Sequence, residues 1–140
     1  MSLSPRHCWT RIGSFTSNHR TRKRHDFLKG RLKMKESVLF LAFLSSGPHA
    51  RPVGLVHIYR TFSSLSLRPQ WILSDLFVIP KARRKGVGEA LMNRARKLAL
   101  DTGANALLLE TTIDNINAQR LCERLDHKRD TPSYRYALAI

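Results

Sequence analysis

The chain has 140 residues, of which 42% are hydrophobic, the size and composition of one globular domain. Twenty-five Lys and Arg against 10 Asp and Glu give a net charge of +15. The longest unbroken apolar run, residues 38–44, is far shorter than the roughly 20 residues of a membrane helix, so no transmembrane helix is predicted. Two cysteines, Cys8 and Cys122, allow no disulfide framework and favour a reducing, cytoplasmic location. Cys8, His19 and His25 are close in the sequence, but there is no second cysteine at the spacing of a zinc finger, so no metal site is predicted.

The N-terminal basic segment, residues 1–35, holds a large share of the excess positive charge. It contains ten Lys and Arg against Asp26 alone, and its first 25 residues show neither a helical nor a strand period. Three interpretations are open for residues 1–25: a solvated disordered tail, which the composition favours, a mitochondrial-type targeting segment, or a basic arm for nucleic acid. A short basic helix is predicted over residues 25–35.

Residues 36–140 are predicted to form one domain that begins with strands. The apolar run 38–44 and residues 52–59 flank a Ser-Ser-Gly-Pro-His turn cluster, which predicts an antiparallel hairpin. After a Ser-rich loop, a third strand is predicted over residues 71–79, where it is stopped by a proline.

The remaining elements alternate between helix and strand. Apolar residues at helical spacing predict an amphipathic helix over residues 87–100, which Gly103 would terminate. A short central strand over residues 106–111 leads to a second helix, capped by Asp or Asn at 114–115, and residues 133–140 alternate like a last strand. A strand–helix–strand order implies a crossover between parallel neighbours, so the fold class is mixed α/β (α+β) with one central sheet.

The most informative segment, Pro80-Lys-Ala-Arg-Arg-Lys-Gly-Val-Gly88, joins the third strand to the amphipathic helix. A helix N-terminus carries unpaired N–H groups and about half a positive charge, so it attracts anions. The two glycines allow backbone amides to approach a phosphate, and the Arg-Arg-Lys run adds permanent charge. The segment fits neither the Walker pattern nor the dinucleotide fingerprint. It predicts a pyrophosphate cradle, with a basic solvated loop as the alternative.

Two motifs carry a resemblance to a known family. Arg83-x-x-Gly86-x-Gly88, after a strand that ends Asp75-Leu-Phe-Val-Ile-Pro80, resembles the acetyl-CoA signature of the GNAT N-acetyltransferase superfamily. Asn117-Ala-x-x-Leu-Cys-Glu-x-Leu125 is similar to the family's Asn-x-x-Ala-x-x-Leu-Tyr helix, although Asn and Ala are adjacent here. The resemblance covers roughly residues 36–140. It implies a single GNAT-like domain with a central mixed, largely antiparallel sheet, a splayed parallel strand pair and flanking helices.

The resemblance also implies acetyl-CoA as cosubstrate and transfer of its acetyl group to an amine by direct attack in a ternary complex. The end of the third strand would hold the pantetheine arm, and the junction would hold the pyrophosphate. The acceptor would be a small-molecule or peptide amine. The sequence leaves open whether the protein forms a homodimer. It also leaves open whether the protein binds nucleic acid, which it would do only through the basic N-terminal segment. The cofactor-binding residues implied are Leu76, Phe77, Val78, Arg83, Arg84, Lys85, Gly86, Val87, Gly88, Glu89 and Asn117.

The sequence departs from the family at the positions expected to do chemistry. Cys122 stands where the family usually has a tyrosine that protonates the departing thiolate, and it lies on an apolar stripe, so core packing is the alternative. Asp75 and His57 are the candidate bases, and either could instead be structural. Asp126-His127 replaces the Gly-Phe that usually ends the helix, and the N-terminal part is short. An inactive or weakened acyl-CoA-binding protein and a basic nucleic-acid-binding protein are therefore the alternative functions.

Overall fold

A computed structural model describes residues 19–140, with side chains from residue 22 onward. Four strands and three helices follow one another along this part of the chain, and a single 3-10 turn, Pro80–Ala82, precedes the second helix. In chain order the elements are α1 (His19–Lys33), β1 (Ser37–Ala42), β2 (Gly54–Ser63), β3 (Arg68–Val78), α2 (Val87–Asp101), β4 (Ala106–Leu109) and α3 (Ile116–Arg124).

The strands form one mixed sheet in the order β1-β2-β3-β4. Strands β1, β2 and β3 pair antiparallel, whereas β3 and β4 pair parallel through the crossover helix α2. The predicted hairpin, the third strand and the largely antiparallel sheet with one parallel pair are therefore confirmed. The hairpin forms because two apolar runs lie on either side of a Gly-Pro turn, and each buries one face against the same helix.

Helix α2 covers one face of the sheet and builds the core. It contacts all four strands, and the side chains of Val56, Ile58 and Leu73 are fully buried against Leu91 and Met92. Of the stripe that the sequence predicted on α2, Val87, Leu91, Ala95 and Ala99 are buried and Leu98 is half-buried, whereas Ala90 is exposed.

Gly54 lets the N-terminal end of α2 approach the sheet closely. A Cβ at this position would lie 2.9 Å from the backbone oxygen of Phe77 and 3.1 Å from side-chain atoms of both Val87 and Leu91. Only a residue without a side chain fits this contact, so Gly54 fixes where α2 begins relative to β3.

All three helices end in the same left-handed turn. The residue after the C-cap has a positive φ of 56° at Lys35, 69° at Gly103 and 65° at Asp126. In each case two N–H groups donate back to carbonyls of the last turn, as in a Schellman motif. The predicted role of Gly103 is confirmed, and Asp126 adopts the conformation for which the family usually uses glycine.

Helix α1 begins at His19 rather than at residue 25, so residues 19–25 are helical and the interpretation of this stretch as a disordered tail is wrong. Residues 1–18 lie outside the described residues. Residues 19–26 contain no apolar residue, and 7 of the 15 residues of the helix are Arg or Lys, which are good helix formers. The sequence signal for the first turns of α1 was therefore weak. Arg31 adds local contacts, with its guanidinium 5.4 Å from the Phe27 ring centroid and 2.6 Å from the Glu36 carboxylate.

The predicted last strand over residues 133–140 is wrong. These residues have no strand pairing, and the side chains of Tyr134 and Tyr136 are 88% exposed. Alternation produces a strand only where one face can be buried, and β4 offers an outer edge only four residues long. The ion pair between Arg135 and Glu110 is a side-chain contact to this edge, and it does not create a ladder. Among residues 19–140, no helix is long and apolar enough to cross a membrane.

Candidate functional site

The parallel strands β3 and β4 separate half-way along β3. Their pairing covers residues 70–73 of β3 and 106–109 of β4, whereas β3 continues to Val78. Within the described residues, β3 has no strand partner on this side beyond Leu73. The backbone of the second half of β3 therefore presents an open edge, and the splayed pair implied by the resemblance is present.

A β-bulge lies at the point of separation. His57 of β2 is opposite Asp75, but the next residue, Ile58, is opposite Leu73, so Ser74 is an extra residue on β3. A bulge bends its strand and increases the local twist. Its place directly after the last residue that pairs with β4 gives a physical reason why β3 turns away from β4 there.

The predicted pyrophosphate cradle, residues 83–88, lies at the N-terminus of α2. Gly86 is the N-cap with φ 76° and ψ 7°, and its carbonyl accepts the first helical hydrogen bond from the N–H of Ala90 at 3.0 Å. Because glycine has no side chain, the first N–H groups of α2 remain uncapped by a side chain and can bind an anion. Arg84 also has a positive φ of 60°, an unfavourable conformation for a residue with a Cβ, and such strain is frequent at ligand sites.

Arg83 connects the cradle to the open strand edge. Its Nε donates a hydrogen bond of 3.0 Å to the backbone oxygen of Val78, the last residue of β3. The side chains of Arg83, Arg84 and Lys85 are exposed, so their charges face solvent beside the uncapped helix end. The strand edge and the cradle thus form one continuous surface.

Helix α3 supplies the second wall beside the cradle. A Cβ at Gly88 would lie 3.5 Å from the side chain of Leu121 on α3, which is ordinary van der Waals contact. Nη2 of Arg124 lies 3.0 Å from Oε2 of Glu89, so an acidic side chain in the first turn of α2 is paired with a cation rather than directed at an incoming phosphate. Sequence reasoning missed Arg124, because a pair 35 residues apart leaves no local signal.

Polar contacts fix the loop that enters α3. The side chain of Asn115 accepts a hydrogen bond of 3.3 Å from the N–H of Ala118, so Asn115 is the N-cap between the two candidates that the sequence offered. Nε2 of Gln119 donates to the carbonyls of residues 112 and 113 at 3.1 and 3.0 Å. Asn117 is exposed on the first turn of α3, on the helix that borders the cradle.

Cys122 is buried in the core. The residue is 7% exposed and belongs to the cluster that α2 and the sheet form. Burial raises the pKa of its thiol, so the neutral form is favoured. Cys122 also lines a broad groove of about 1230 Å³ along the outer edge of β4, and no cradle residue lines that groove. These contacts support core packing as the role of Cys122.

The two candidate bases lie next to each other. Nδ1 of His57 is 3.5 Å from Oδ2 of Asp75, and the two side chains are 3% and 17% exposed. The ring of Tyr59 meets the imidazole edge-on, with ring centroids 4.6 Å apart. Nε2 of His57 is buried and makes no hydrogen bond to any described residue. The structure therefore joins two residues that the sequence offered only as separate candidates.

A mixed sheet with a splayed parallel strand pair and a crossover helix is the fold that the resemblance to GNAT acetyltransferases implied, and comparisons with known proteins agree. The family model for the acetyltransferase (GNAT) family matches residues 6–126. An uncharacterized N-acetyltransferase of Bacillus subtilis, YhfO, is 39% identical over 114 residues, which are 81% of this chain and 74% of YhfO. A probable acetyltransferase of Haemophilus influenzae is 30% identical over 84 residues, 60% of this chain and 56% of that protein.

Solved structures show the same fold. The crystal structure of a probable acetyltransferase has a TM-score of 0.79 and 33% identity, covering 99% of this chain and 86% of that one. AAC(6')-Iy in complex with the bisubstrate analog CoA-S-monomethyl-acetylneamine has a TM-score of 0.71 at 17% identity, covering 100% of this chain and 95% of that one, a likeness of fold alone. The chain belongs to the GNAT acetyltransferase family. Membership supports acetyl transfer in general, and enzymes of this family use acetyl-CoA.

Proposed function

We propose that this protein is an active acetyl-CoA-dependent N-acetyltransferase in which an amine attacks the acetyl group directly within a ternary complex. The observation that carries the proposal is the continuity between the open edge of β3 and the cradle, which Arg83 joins through its hydrogen bond to Val78. An extended pantetheine arm and a pyrophosphate are adjacent parts of one molecule, and this surface offers a strand edge directly followed by an anion site.

The residues present fit the cosubstrate. Apart from its two chain neighbours, no described residue has a heavy atom within 4 Å of where a Cβ of Gly86 would lie, so a phosphate can approach the backbone there. The uncapped N–H groups of α2 and the basic residues 83–85 would bind the pyrophosphate. The backbone of Leu76, Phe77 and Val78 would pair with the pantetheine amides in the manner of an added strand. Asn117 would contact the pantetheine from α3.

The departing thiolate needs little help in this proposal. Cys122 is buried in the core, so we assign it no role as a proton donor. Thiols are acidic enough that a thiolate can leave without a proton donor. The missing tyrosine therefore lowers the expected rate without abolishing the reaction. The alternative function, an inactive acyl-CoA-binding protein, would bind the cosubstrate and transfer nothing.

A second activity, binding of a polyanion such as nucleic acid, is supported by α1. The side chains of Arg22, Lys23, Lys29 and Lys33 are exposed on this helix, and Asp26 is its only acidic residue. Such binding would be electrostatic, so its affinity would fall steeply with salt. The proposal also includes a small-molecule or peptide amine as the acceptor, a homodimer as the assembly and a cytoplasmic location.

Calorimetry with acetyl-CoA, followed by a thiol-release assay over a panel of amines, tests the proposal. The expected result is saturable binding and turnover with at least one amine. Binding without turnover on any amine would indicate an inactive acyl-CoA-binding protein instead. The absence of acetyl-CoA binding would overturn the proposal.

Two matched arginine variants make the binding test specific. Arg83 and Arg68 both donate from Nε to a backbone carbonyl, at 3.0 Å to Val78 and at 3.1 Å to Gly103 respectively, and both side chains are exposed. Arg83→Met should weaken acetyl-CoA binding about tenfold, whereas Arg68→Met, at the far end of the sheet, should leave the affinity unchanged.

A further inference from the structure

His57 and Asp75 form a largely buried acid–histidine pair beside the point where β3 and β4 separate. Asp75 stands two residues beyond Leu73, where the pairing with β4 ends, and directly before the open strand edge. We infer that Nε2 of His57 is the general base that deprotonates the acceptor amine through one water molecule, and that Asp75 is the positioning residue that orients His57. The inference rests on the proposed acetyltransferase function and assigns the group that activates its acceptor.

The pair lies on the face of the sheet opposite α2. Val56 and Ile58, the neighbours of His57 on β2, both point into the core beneath α2, so the side chain of His57 points to the other face. Asp75 is directly opposite His57 across the strands and shares that face. The pair therefore lies on the face of the sheet that α2 does not cover.

The contact between the two side chains selects one tautomer of His57. A carboxylate only accepts, so the neutral imidazole carries its proton on Nδ1, 3.5 Å from Oδ2 of Asp75. Nε2 then keeps its lone pair, and it is the buried atom that bonds to no described residue. A buried imidazole nitrogen is normally satisfied by protein or by an ordered water, so this position suits a water that leads to the acceptor.

Other polar groups of the described residues meet these requirements less well. His25 also lies near a carboxylate, Asp26 at 3.6 Å, but both side chains are more than 60% exposed on α1. Ser37 is buried, with an unpartnered Oγ among the described residues, but a hydroxyl does not take up a proton at neutral pH. Tyr59 contacts the imidazole with its ring and holds the plane of His57.

These groups account for every proton in the reaction. The acceptor ammonium gives one proton through the water to Nε2, which forms an imidazolium that the Asp75 carboxylate stabilises. The neutral amine attacks the acetyl carbonyl, the C–S bond breaks, and the second amine proton passes to the departing thiolate. His57 then returns its proton to solvent, so the products are the amide, the CoA thiol and one proton.

The test uses two acceptors of nearly the same shape. 2-Phenylethylamine is protonated at pH 7 and needs a base, whereas O-benzylhydroxylamine is neutral at pH 7 and does not. If the protein acetylates a different amine in the panel, that amine and its aminooxy analogue replace this pair of acceptors. Variants His57→Gln and Asp75→Asn are compared with Ser37→Ala, a buried polar residue on the same face as His57. Each variant is checked for thermal stability and for acetyl-CoA affinity.

We expect His57→Gln to lower kcat with the charged amine by about 100-fold or more while the neutral acceptor loses less than about threefold. Asp75→Asn should show the same selectivity with a loss of about tenfold or more, because an amide donor would drive the proton of His57 to Nε2. Ser37→Ala should keep both rates. Equal losses with both acceptors in folded variants, or no loss, would overturn the inference. Absence of turnover by the unmodified protein would instead overturn the proposed function. If His57→Gln does not fold, the inference is tested by the isosteric Asp75→Asn variant, through its rates with the two acceptors.

Discussion

Replacing Gly86 with Glu perturbs the cradle at the residue that begins α2. Gly86 has φ 76°, and an added Cβ would meet no described heavy atom within 4 Å outside its two chain neighbours, so the cost is conformational rather than steric. The left-handed conformation costs a residue with a Cβ about 1–2 kcal/mol. A carboxylate at a helix N-terminus returns about 0.3–1 kcal/mol through the helix dipole. The net loss of about 1 kcal/mol should lower the Tm by a few degrees and leave the fold intact.

The effect of Gly86→Glu on binding should be larger than its effect on stability. The new carboxylate would occupy the position of a pyrophosphate oxygen and repel its neighbours. Acetyl-CoA affinity, measured by calorimetry, should fall at least tenfold, or ~1.4 kcal/mol.

Gly103→Glu is the matched control, because Gly103 has φ 69°, equally open space, and lies at the opposite end of the same helix. Glu is less favourable at a helix C-terminus, so this variant should lose at least as much stability and yet bind acetyl-CoA normally. Unchanged affinity in folded Gly86→Glu, or an equal loss in Gly103→Glu, would refute the cradle.

Three further predictions concern packing, the buried thiol and the N-terminal segment. Gly54→Ala should lower the free energy of unfolding, measured in urea, by about 1–3 kcal/mol, because the new Cβ would lie 2.9 Å from the Phe77 backbone oxygen. An unchanged free energy of unfolding would mean that α2 can shift to make room for the Cβ. Burial raises the pKa of the Cys122 thiol above its usual 9.0, so the folded state holds this proton more tightly than the unfolded chain, and stability should decline as the pH rises above 9.0. Cys122→Ala, in a Cys8→Ser background, should lack that alkaline decline and keep its turnover; lost turnover in a folded variant would return Cys122 to the proton-donor role. Deleting residues 1–18 should weaken binding to nonspecific DNA and leave acetyl-CoA affinity unchanged; loss of acetyl-CoA binding would show that this segment supports the site.

The two ends of α2 could be predicted because their signals are local. Gly86 and Gly103 adopt positive φ within a few residues of the helix that they flank, and the stripe of α2 repeats at helical spacing. The tail, residues 133–140, shows the limit of such signals, since its alternation needed a partner edge that four-residue β4 does not supply. Helix α1 shows the opposite limit, because basic residues formed a helix without an apolar stripe.

The sequence by itself determined the order of the elements from the hairpin to α3, the fold class and the family. Each of these depends on residues within one turn, one strand or one motif, where backbone preference and spacing act directly. Only the tertiary structure decided that His57 meets Asp75, that Arg124 neutralises Glu89 and that a bulge at Ser74 opens the cleft. These contacts join residues on different strands and helices, and a shift of one residue in register would separate them. Their physical cause is therefore the packing of α2 and α3 against a sheet of fixed register, which no local pattern encodes.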